Sequence, residues 1–449
     1  MSSKYPNSFK DVECEILGVG SSNLALAEFL HKEGAHITAR ANVPPSLSVA
    51  ERLMFITDRQ IYGKDYLENI KGQYVFRSPS IRPDIPEIIA AVANGSVLGS
   101  EWELFFHRAP CRIMGVTGSD GKTTTVSIAQ KILEASFQGT ARKAYAAGNI
   151  GIPLISLLNI LTEKDVVIAE LSSFQLMTLD RSPEIAAITN LTPNHLDYHR
   201  DMDEYIISKL NIADAGCKQV IIPDTTPYHQ IEQHLATKNI QVIKRGFLSS
   251  SDIYCDNSQI YFHNSAILNI NDIAISGIHN VENYMTAIAL CDNYPINNTI
   301  IDVARSFKGV EHRIQLIAEI DGIKYYDSSI DSTPSRTATT LACFRKPLTV
   351  ICGGSDKNLD YGILADALER YATHVIVTGA SAQKILSAIN DLPKRSFNVM
   401  YKSDFHSAVK LSTQITPKGG TVILSPACAS FDAFKDYKQR GEVFSKIIL

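Results

Sequence analysis

The chain has 449 residues, 45% of them hydrophobic and 20% charged, so it is long enough for roughly two to four domains with sizeable cores and too apolar to be disordered. Its 43 basic and 47 acidic side chains give a net charge of −4. That balance argues against nucleic acid or an anionic membrane as partner, so an anionic ligand has to be met by local charge. No apolar run is long enough to span a membrane, and the opening Met-Ser-Ser-Lys-Tyr-Pro-Asn-Ser-Phe-Lys has no apolar core of a signal peptide. The eight cysteines form no Cys-x-x-Cys pair, which points to reduced, buried thiols in a cytoplasmic protein.

Cys14–Gly20 reads as a strand running into a glycine turn, with a helix at 21–30 and a second strand at 35–39. This βαβ start lacks the third glycine of a dinucleotide fingerprint. Arg40 and Asn42 stand where an acidic residue would end the second strand. It fits a nucleotide diphosphate at a helix N-terminus better than NAD, with a ligand-free Rossmann-like unit as the alternative. Residues 77–86 form a proline-rich loop with Arg77 and Arg82. A helix is predicted over 87–95, and Glu101–Phe106 leads to a domain boundary near 107.

Arg112–Val116 reads as a short buried strand. Gly115, Gly118 and Gly121 follow closely, then Lys122, three threonines and the helical pattern 126–133. A strand, a glycine turn and a helix start gather backbone N–H groups around one point, where helix polarity favours polyphosphate. Lys122 would neutralise the β/γ charge, and the Thr123 hydroxyl would sit on Mg²⁺. The strict Walker pattern wants glycine at Val116, and Gly115 comes one residue early. A turn opening an ordinary helix is the bland alternative, but packing alone does not explain Gly-Lys-Thr-Thr after an apolar strand.

Further strands are predicted at 165–171, 185–191, 219–223 and 241–245, with a hairpin around Asp256-Asn257 and helices at 203–214 and 277–289. From about 310, strands at 323–326, 348–352, 374–378 and 421–424 alternate with helices at 335–343, 362–372, 382–389 and 405–415. That is a second doubly wound sheet, whose function belongs in the loops beyond its strand ends, 327–334, 353–357 and 425–432.

Several of these ends carry chemistry. Glu170 closes a strand beside two hydroxyls, as a Mg²⁺ ligand would; the competing reading is a surface glutamate beside a turn. Thr189–His199 packs two histidines and Asp197 after an apolar strand, and His195 could ligate metal, with Asp197 and His199 in support. Lys209 lies on a mostly apolar helix face, where snorkelling is the ordinary explanation. Arg313 could take phosphate oxygens in bidentate fashion or make an interdomain salt bridge.

Together these motifs resemble the Mur ligase family, ATP-dependent amide-forming enzymes of peptidoglycan synthesis. The family's Thr-Gly-Thr-Asn-Gly-Lys-Thr-Thr is Thr117-Gly-Ser-Asp-Gly-Lys-Thr-Thr124 here. Glu170-Leu-Ser-Ser-Phe-Gln-Leu176, Gly277-Ile-His-Asn-Val-Glu-Asn283, and Leu424-Ser-Pro-Ala-Cys-Ala-Ser-Phe-Asp432 with Tyr437 and Arg440-Gly441 are similar to the branch that adds D-glutamate to UDP-N-acetylmuramoyl-L-alanine.

The resemblance implies three α/β domains: a Rossmann-like UDP-binding domain over 1–107, a central P-loop ATPase-like domain over 108–309 and a C-terminal Rossmann-like domain over 310–449. It implies that Gly20, Ser21, Ser22, Ser78 and Asn149 hold the UDP-sugar substrate. Gly118, Ser119, Asp120, Gly121, Lys122, Thr123, Thr124, Asn280, Asn283, Arg313 and Asp327 would hold ATP, and Lys357, Ser430 and Tyr437 would frame D-glutamate. Thr123, Glu170, His195 and Lys209 would serve two Mg²⁺ ions, with Lys209 carboxylated by CO₂ to a carbamate. Lys122, Glu170, His195 and Lys209 would carry catalysis in a cytoplasmic monomer that binds neither nucleic acid nor membrane.

Departures from the pattern are Asp120 for asparagine, Asn194 for aspartate, and Asp327-Ser-Ser-Ile-Asp-Ser-Thr for a stretch with a lysine at its third position. A sister ligase, a folylpolyglutamate synthase-like enzyme and an inactive nucleotide-binding relative are the alternatives. The Ser-Ser-Phe-Gln and Ser-Pro-Ala-Cys-Ala-Ser stretches speak against the first two, and only the missing lysine supports the third.

Overall fold

The computed structural model describes residues 4–449 apart from 46, 196–197, 225–228, 276, 297–298 and 357–358. The chain divides into two compact units, Met1–Phe307 and Lys308–Leu449. The first unit holds two sheets. Strands β1 (Glu13–Leu17), β2 (His36–Ala41), β3 (Arg59–Tyr62), β4 (Tyr74–Arg77) and β5 (Val97–Gly99) are parallel in the order β3-β2-β1-β4-β5. The order reverses between β1 and β4, so the crevice beyond their ends lies between the turn at Gly18–Gly20 and the loop at Ser78.

The second sheet contains β6 (Arg112–Thr117), β7 (Ala144–Gly148), β8 (Val166–Glu170), β9 (Ile185–Ile188), β10 (Gln219–Pro223), β11 (Gln241–Gly246), β12 (Ile253–Asp256), β13 (Gln259–Phe262) and β14 (Ser265–Asn269). Their order is β14-β13-β12-β11-β10-β9-β6-β8-β7. Strand β6 therefore has β8 on one side and β9 on the other, and the loops after all three meet. β12, β13 and β14 pair antiparallel, turning at Asn257 and Ser258, both with positive φ. Asparagine tolerates that conformation, which is the physical content of the Asp-Asn turn signal.

One apolar core runs from the first sheet into the second, from Tyr5 through Trp102 to Leu235. The helix Glu101–Arg108 is its keystone. Ser100 caps it by accepting from the Glu103 N–H. Fully buried Trp102 donates from Nε1 to the Gln175 carbonyl (2.8 Å), and Glu101 accepts from the Ile155 N–H (2.6 Å). Arg77 donates to the Phe174 carbonyl (2.8 Å) and to Thr178 Oγ1 (3.1 Å). Arg40, where an acidic residue would end the second strand, is buried, paired with Glu15, and donates to the carbonyls of Tyr66, Glu68 and Asn69, closing the 63–72 loop.

The second unit carries β15 (Gln315–Ile320), β16 (Ile323–Asp327), β17 (Leu348–Gly353), β18 (His374–Thr378), β19 (Asn398–Tyr401) and β20 (Thr421–Leu424) in the order β15-β16-β20-β17-β18-β19. All pairs are parallel except β15 with β16. β16, β20 and β17 are neighbours, so the three loops expected to carry function leave the sheet side by side.

Candidate functional site

The phosphate loop follows β6. Val116 is buried within that strand, and Gly115 lies inside it against Pro183 and Ile212, so Gly118 is the glycine that opens the loop. Gly118 and Gly121 have φ of 145° and 76°. A Cβ on Gly118 would overlap Thr189 Oγ1, and one on Gly121 would overlap Asn283 Oδ1. Only glycine lets the loop pass between these two walls. The loop is braced from outside: Ser119 Oγ contacts Tyr205 OH (2.7 Å) and donates to the Thr192 carbonyl (2.9 Å), and the Asp120 N–H donates to Asn190 Oδ1 (2.8 Å). Asp120 itself is exposed and Thr124 half-buried.

Lys122 opens the helix Lys122–Ser136 and folds back over the loop, its Nζ 2.8 Å from the carbonyls of Gly118 and Ser119. Thr123 Oγ1 donates to Glu170 Oε2 (2.8 Å), and Asn149 Nδ2 donates to Glu170 Oε1 (2.9 Å). Glu170 is therefore a buried carboxylate satisfied on both oxygens, not a surface glutamate. Asn280 and Asn283 lie on the helix Ile278–Leu290: Asn283 donates to Asn280 Oδ1 (3.1 Å) and accepts from Thr125 Oγ1 (3.2 Å).

Lys209 departs from expectation. The helix Met202–Leu210 is capped by Asp201, and Lys209 falls one turn after buried Tyr205, on the same face. It does not snorkel: it is 2% exposed, its Nζ donates to the Gly118 carbonyl (2.7 Å) and Thr117 Oγ1 (3.3 Å), and it sits 4.8 Å from the Tyr205 ring centroid. Among the described residues no carboxylate lies within ion-pair distance of it. Burial, helped by the Lys122 charge, pushes its pKa well below the usual lysine value, against the pull of Glu170 and Asp120.

His195 is exposed, with φ of 57° and its ring edge-on to Phe174 at 4.9 Å. Asp197 lies outside the described residues. His199 is buried, its Nε2 2.9 Å from Ser173 Oγ, and burial lowers its pKa. Among the described residues no three His, Cys, Asp or Glu side chains gather as a metal cluster; the oxygen donors that meet are Thr123 and Glu170. In the first sheet Gly20 precedes the helix Ser21–Lys32, so Gly20, Ser21 and Ser22 present its uncapped N-terminus. Ser78 Oγ is 2.7 Å from Ser80 Oγ, in the loop after β4.

In the second unit the polar groups are largely engaged with one another. Asp327 is fully buried, with Oδ2 2.7 Å from His312 Nδ1 and Oδ1 accepting from the Ser329 N–H (2.8 Å). Arg313 is half-buried between His312 and Ile314, both with positive φ. The carbonyl of buried Ser430 accepts from the Phe434 N–H (2.9 Å). Tyr437 is half-buried, begins the helix Tyr437–Ile448, and its ring lies edge-on 6.0 Å from His312. Lys357 lies outside the described residues. Sequence reasoning missed the bracing of the phosphate loop by Tyr205, Thr189 and Asn190, and it gave Arg440 no role. Tyr205 carried a signal, its spacing of four from Lys209; Asn190 carried none.

The Mur ligase middle domain matches residues 116–291 and the Mur ligase glutamate ligase domain residues 312–428. A UDP-N-acetylmuramoylalanine–D-glutamate ligase of Ruminiclostridium cellulolyticum is 36% identical over 99% of this chain and 98% of its own. One from Acetivibrio thermocellus is 36% identical over 99% and 97%. Among solved structures, a UDP-N-acetylmuramate–alanine ligase of Thermotoga maritima aligns with a TM-score of 0.53 at 18% identity, covering 97% of this chain and 98% of that one. A MurF ligase of the same organism, in complex with ADP, aligns at 0.54 with 15% identity over 98% and 96%. These two share the fold.

Proposed function

The chain belongs to the Mur ligase family, and we propose that it joins the amine of D-glutamate to the carboxylate of UDP-N-acetylmuramoyl-L-alanine at the expense of ATP, in peptidoglycan precursor synthesis. The observation that carries this reading is likeness to D-glutamate ligases along the whole chain, phosphate loop included. In this reading 1–107 receives the UDP-sugar, 108–309 ATP and 310–449 the amino acid.

The carboxylate oxygen of the sugar substrate attacks the γ-phosphorus, giving an acyl phosphate and ADP. The amine then attacks the acyl carbon, loses its proton and expels phosphate. The chain's part in the first step is positioning and charge neutralisation. The N–H groups at the start of the helix Lys122–Ser136 and the Lys122 ammonium would hold the phosphates, with Gly118, Ser119, Asp120, Gly121 and Thr124 shaping the cradle. Asn280, Asn283, Arg313 and Asp327 would serve the nucleotide. Asn149 would meet the substrate while orienting Glu170, and Gly20, Ser21, Ser22 and Ser78 would hold the UDP.

Thr123 and Glu170 put a hydroxyl and a carboxylate side by side, a pair of hard oxygens that fits Mg²⁺; His195 and Lys209 complete the proposed set for two ions. Bound Mg²⁺ supplies neutralisation of phosphate charge. Lys209 supports a carbamate reading, because burial favours the neutral amine that attacks CO₂. Lys357, Ser430 and Tyr437 would frame D-glutamate. A cytoplasmic, monomeric enzyme completes the proposal. No helix of the described residues is long and apolar enough to cross a membrane.

Phosphate release tests the function. It should require UDP-N-acetylmuramoyl-L-alanine and D-glutamate together, with L-glutamate and D-aspartate poor. Equal turnover with L-alanine, meso-diaminopimelate or a folate acceptor would overturn the assignment.

A further inference from the structure

In the second unit one side chain ties together two of the three loops that leave β16, β20 and β17, and the third closes against the same carbonyl. Arg440, on the helix Tyr437–Ile448, is 2% exposed. Its Nε donates to Ser329 Oγ (2.9 Å) and its Nη2 to the Ser329 carbonyl (2.8 Å), both in the loop after β16. Nη2 also donates to the Cys428 carbonyl (3.0 Å) and Nη1 to the Ala429 carbonyl (3.0 Å), in the loop after β20. The loop after β17 closes against the same point. The Ser355 N–H donates to the Ala429 carbonyl (2.9 Å), and Gly354, at φ of 153°, passes so close that a Cβ there would lie 3.0 Å from Nη1 and overlap the Ala429 oxygen. Ser329 is further fixed by donating from Oγ to the Tyr437 carbonyl (2.8 Å).

This guanidinium has no carboxylate within ion-pair distance among the described residues. The nearby acids are otherwise engaged. Asp327 is matched by His312, whose pKa it raises against the effect of burial; Asp331 is pushed up by burial and accepts from Ser425 Oγ (2.8 Å); Asp432 accepts from the Ala380 N–H (3.1 Å) and Ser355 Oγ (3.3 Å). Burial pushes the Arg440 pKa down to about 10, which still leaves it charged at neutral pH. A buried, unpaired charge is costly to a fold. Its one evident return is a fixed positive charge behind loops expected to receive an anion, held by a planar fork that a lysine cannot reproduce.

We infer that Arg440 is a positioning residue for the acidic amino-acid substrate, its guanidinium setting the spacing of the 327–332, 353–355 and 425–432 loops and placing a fixed positive charge behind them. This rests on the D-glutamate reading above. Ser430 then acts from a loop, and Tyr437 from the start of the helix, whose separation Arg440 determines, and Ser329 serves as the hub of that framework.

The test compares Arg440→Met, which removes charge and fork, with Arg440→Lys, which keeps only charge. The KM for D-glutamate should rise roughly 30-fold in the first and roughly 5-fold in the second, with the KM values for ATP and UDP-N-acetylmuramoyl-L-alanine within about twofold of wild type. Amide hydrogen exchange should quicken in all three loops together. A folded Arg440→Met with wild-type KM for D-glutamate, or with all three KM values rising in parallel, overturns the inference. Should Arg440→Met fail to fold, Ser329→Ala decides: a rise of about threefold in the D-glutamate KM alone supports the inference, and no change overturns it. A wild-type chain that ignores D-glutamate overturns the functional reading and this inference with it. Normal wild-type turnover beside indifferent variants sinks the inference alone.

Discussion

Lys209 in the first unit and Arg440 in the second are both 2% exposed, and neither has a carboxylate within ion-pair distance among the described residues. The two sites handle the buried charge in opposite ways. Lys209 makes two hydrogen bonds and is pushed well below its usual pKa by burial and by Lys122. A primary amine can shed its proton and become a nucleophile. Arg440 is pushed only to about 10 and spends four hydrogen bonds on fixed oxygens. A guanidinium keeps its charge at neutral pH, so it can serve only as framework and field. One buried cation is therefore suited to chemistry and the other to architecture.

The largest effect expected is at Lys122, whose charge bears on Lys209. Lys122→Ala should lower turnover by on the order of 3 kcal/mol in transition-state stabilisation, about 100-fold, with the fold intact. A variant with most of the wild-type kcat would break the phosphate-loop reading.

Stability separates the two cations next. Lys209→Met should slow acyl-phosphate formation, by less than Lys122→Ala does, yet leave the ligand-free melting temperature equal or higher. It removes an amine whose charged form burial disfavours, and the Gly118 carbonyl keeps its bond from Lys122. Arg440→Met should lower the melting temperature by the equivalent of about 2 kcal/mol or more, because it strips donors from buried carbonyls. Shifts of the same sign in both variants would dissolve the distinction.

The smallest effect concerns acids that repeat the contrast. Burial pushes Glu101 up to about 7 and Glu103 up to about 6, the latter against the pull of Lys4, so burial works against their charged forms as it does against that of Lys209. Asp84 and Glu204 stay charged because Arg82 binds both and holds them near 2. The unfolded Glu101 titrates near ~4.3, so stability from its protonated form is full below that value and is lost as pH rises through about 7. The contribution of Asp84 and Glu204 is present above about 4 and lost as pH falls through about 2. Melting temperature should decline as pH falls from about 4 towards about 2 and, by the Glu101 contribution, as it rises from about 4 to about 7, and Glu101→Gln should flatten the second slope. An unaltered slope between about 4 and about 7 in that variant would rule out a raised Glu101 pKa.

Much of this was legible in sequence where local signals agree with the fold. The strand 421–424 and the helix 405–415 lie where periodicity puts them, and the phosphate loop announces itself through Gly118, Gly121 and Lys122. Short edge strands such as β3, β5 and β19 were missed, since half-exposed runs of three or four residues carry little alternation. So was the helix Tyr437–Ile448, whose apolar stripe is interrupted by Arg440 and Gly441. The role of Arg40 was not legible in the sequence, because its partner Glu15 is set beside it only by the pairing of β1 with β2 and its carbonyl acceptors only by the return of the 63–72 loop. Lys209 misled by chemistry, because a lysine on an apolar face usually reaches water; the Asp201 cap and its spacing from Tyr205 aim it at the phosphate loop instead.

The most direct test of the contrast between the buried lysine and the buried arginine is a carbon NMR spectrum of the chain equilibrated with ¹³C-bicarbonate, recorded for wild type, Lys209→Met and Arg440→Met. One carbamate resonance is expected in wild type and in Arg440→Met, reversibly lost at mildly acidic pH and absent from Lys209→Met. An active wild-type enzyme without that resonance, or a resonance that survives the loss of Lys209, would contradict it.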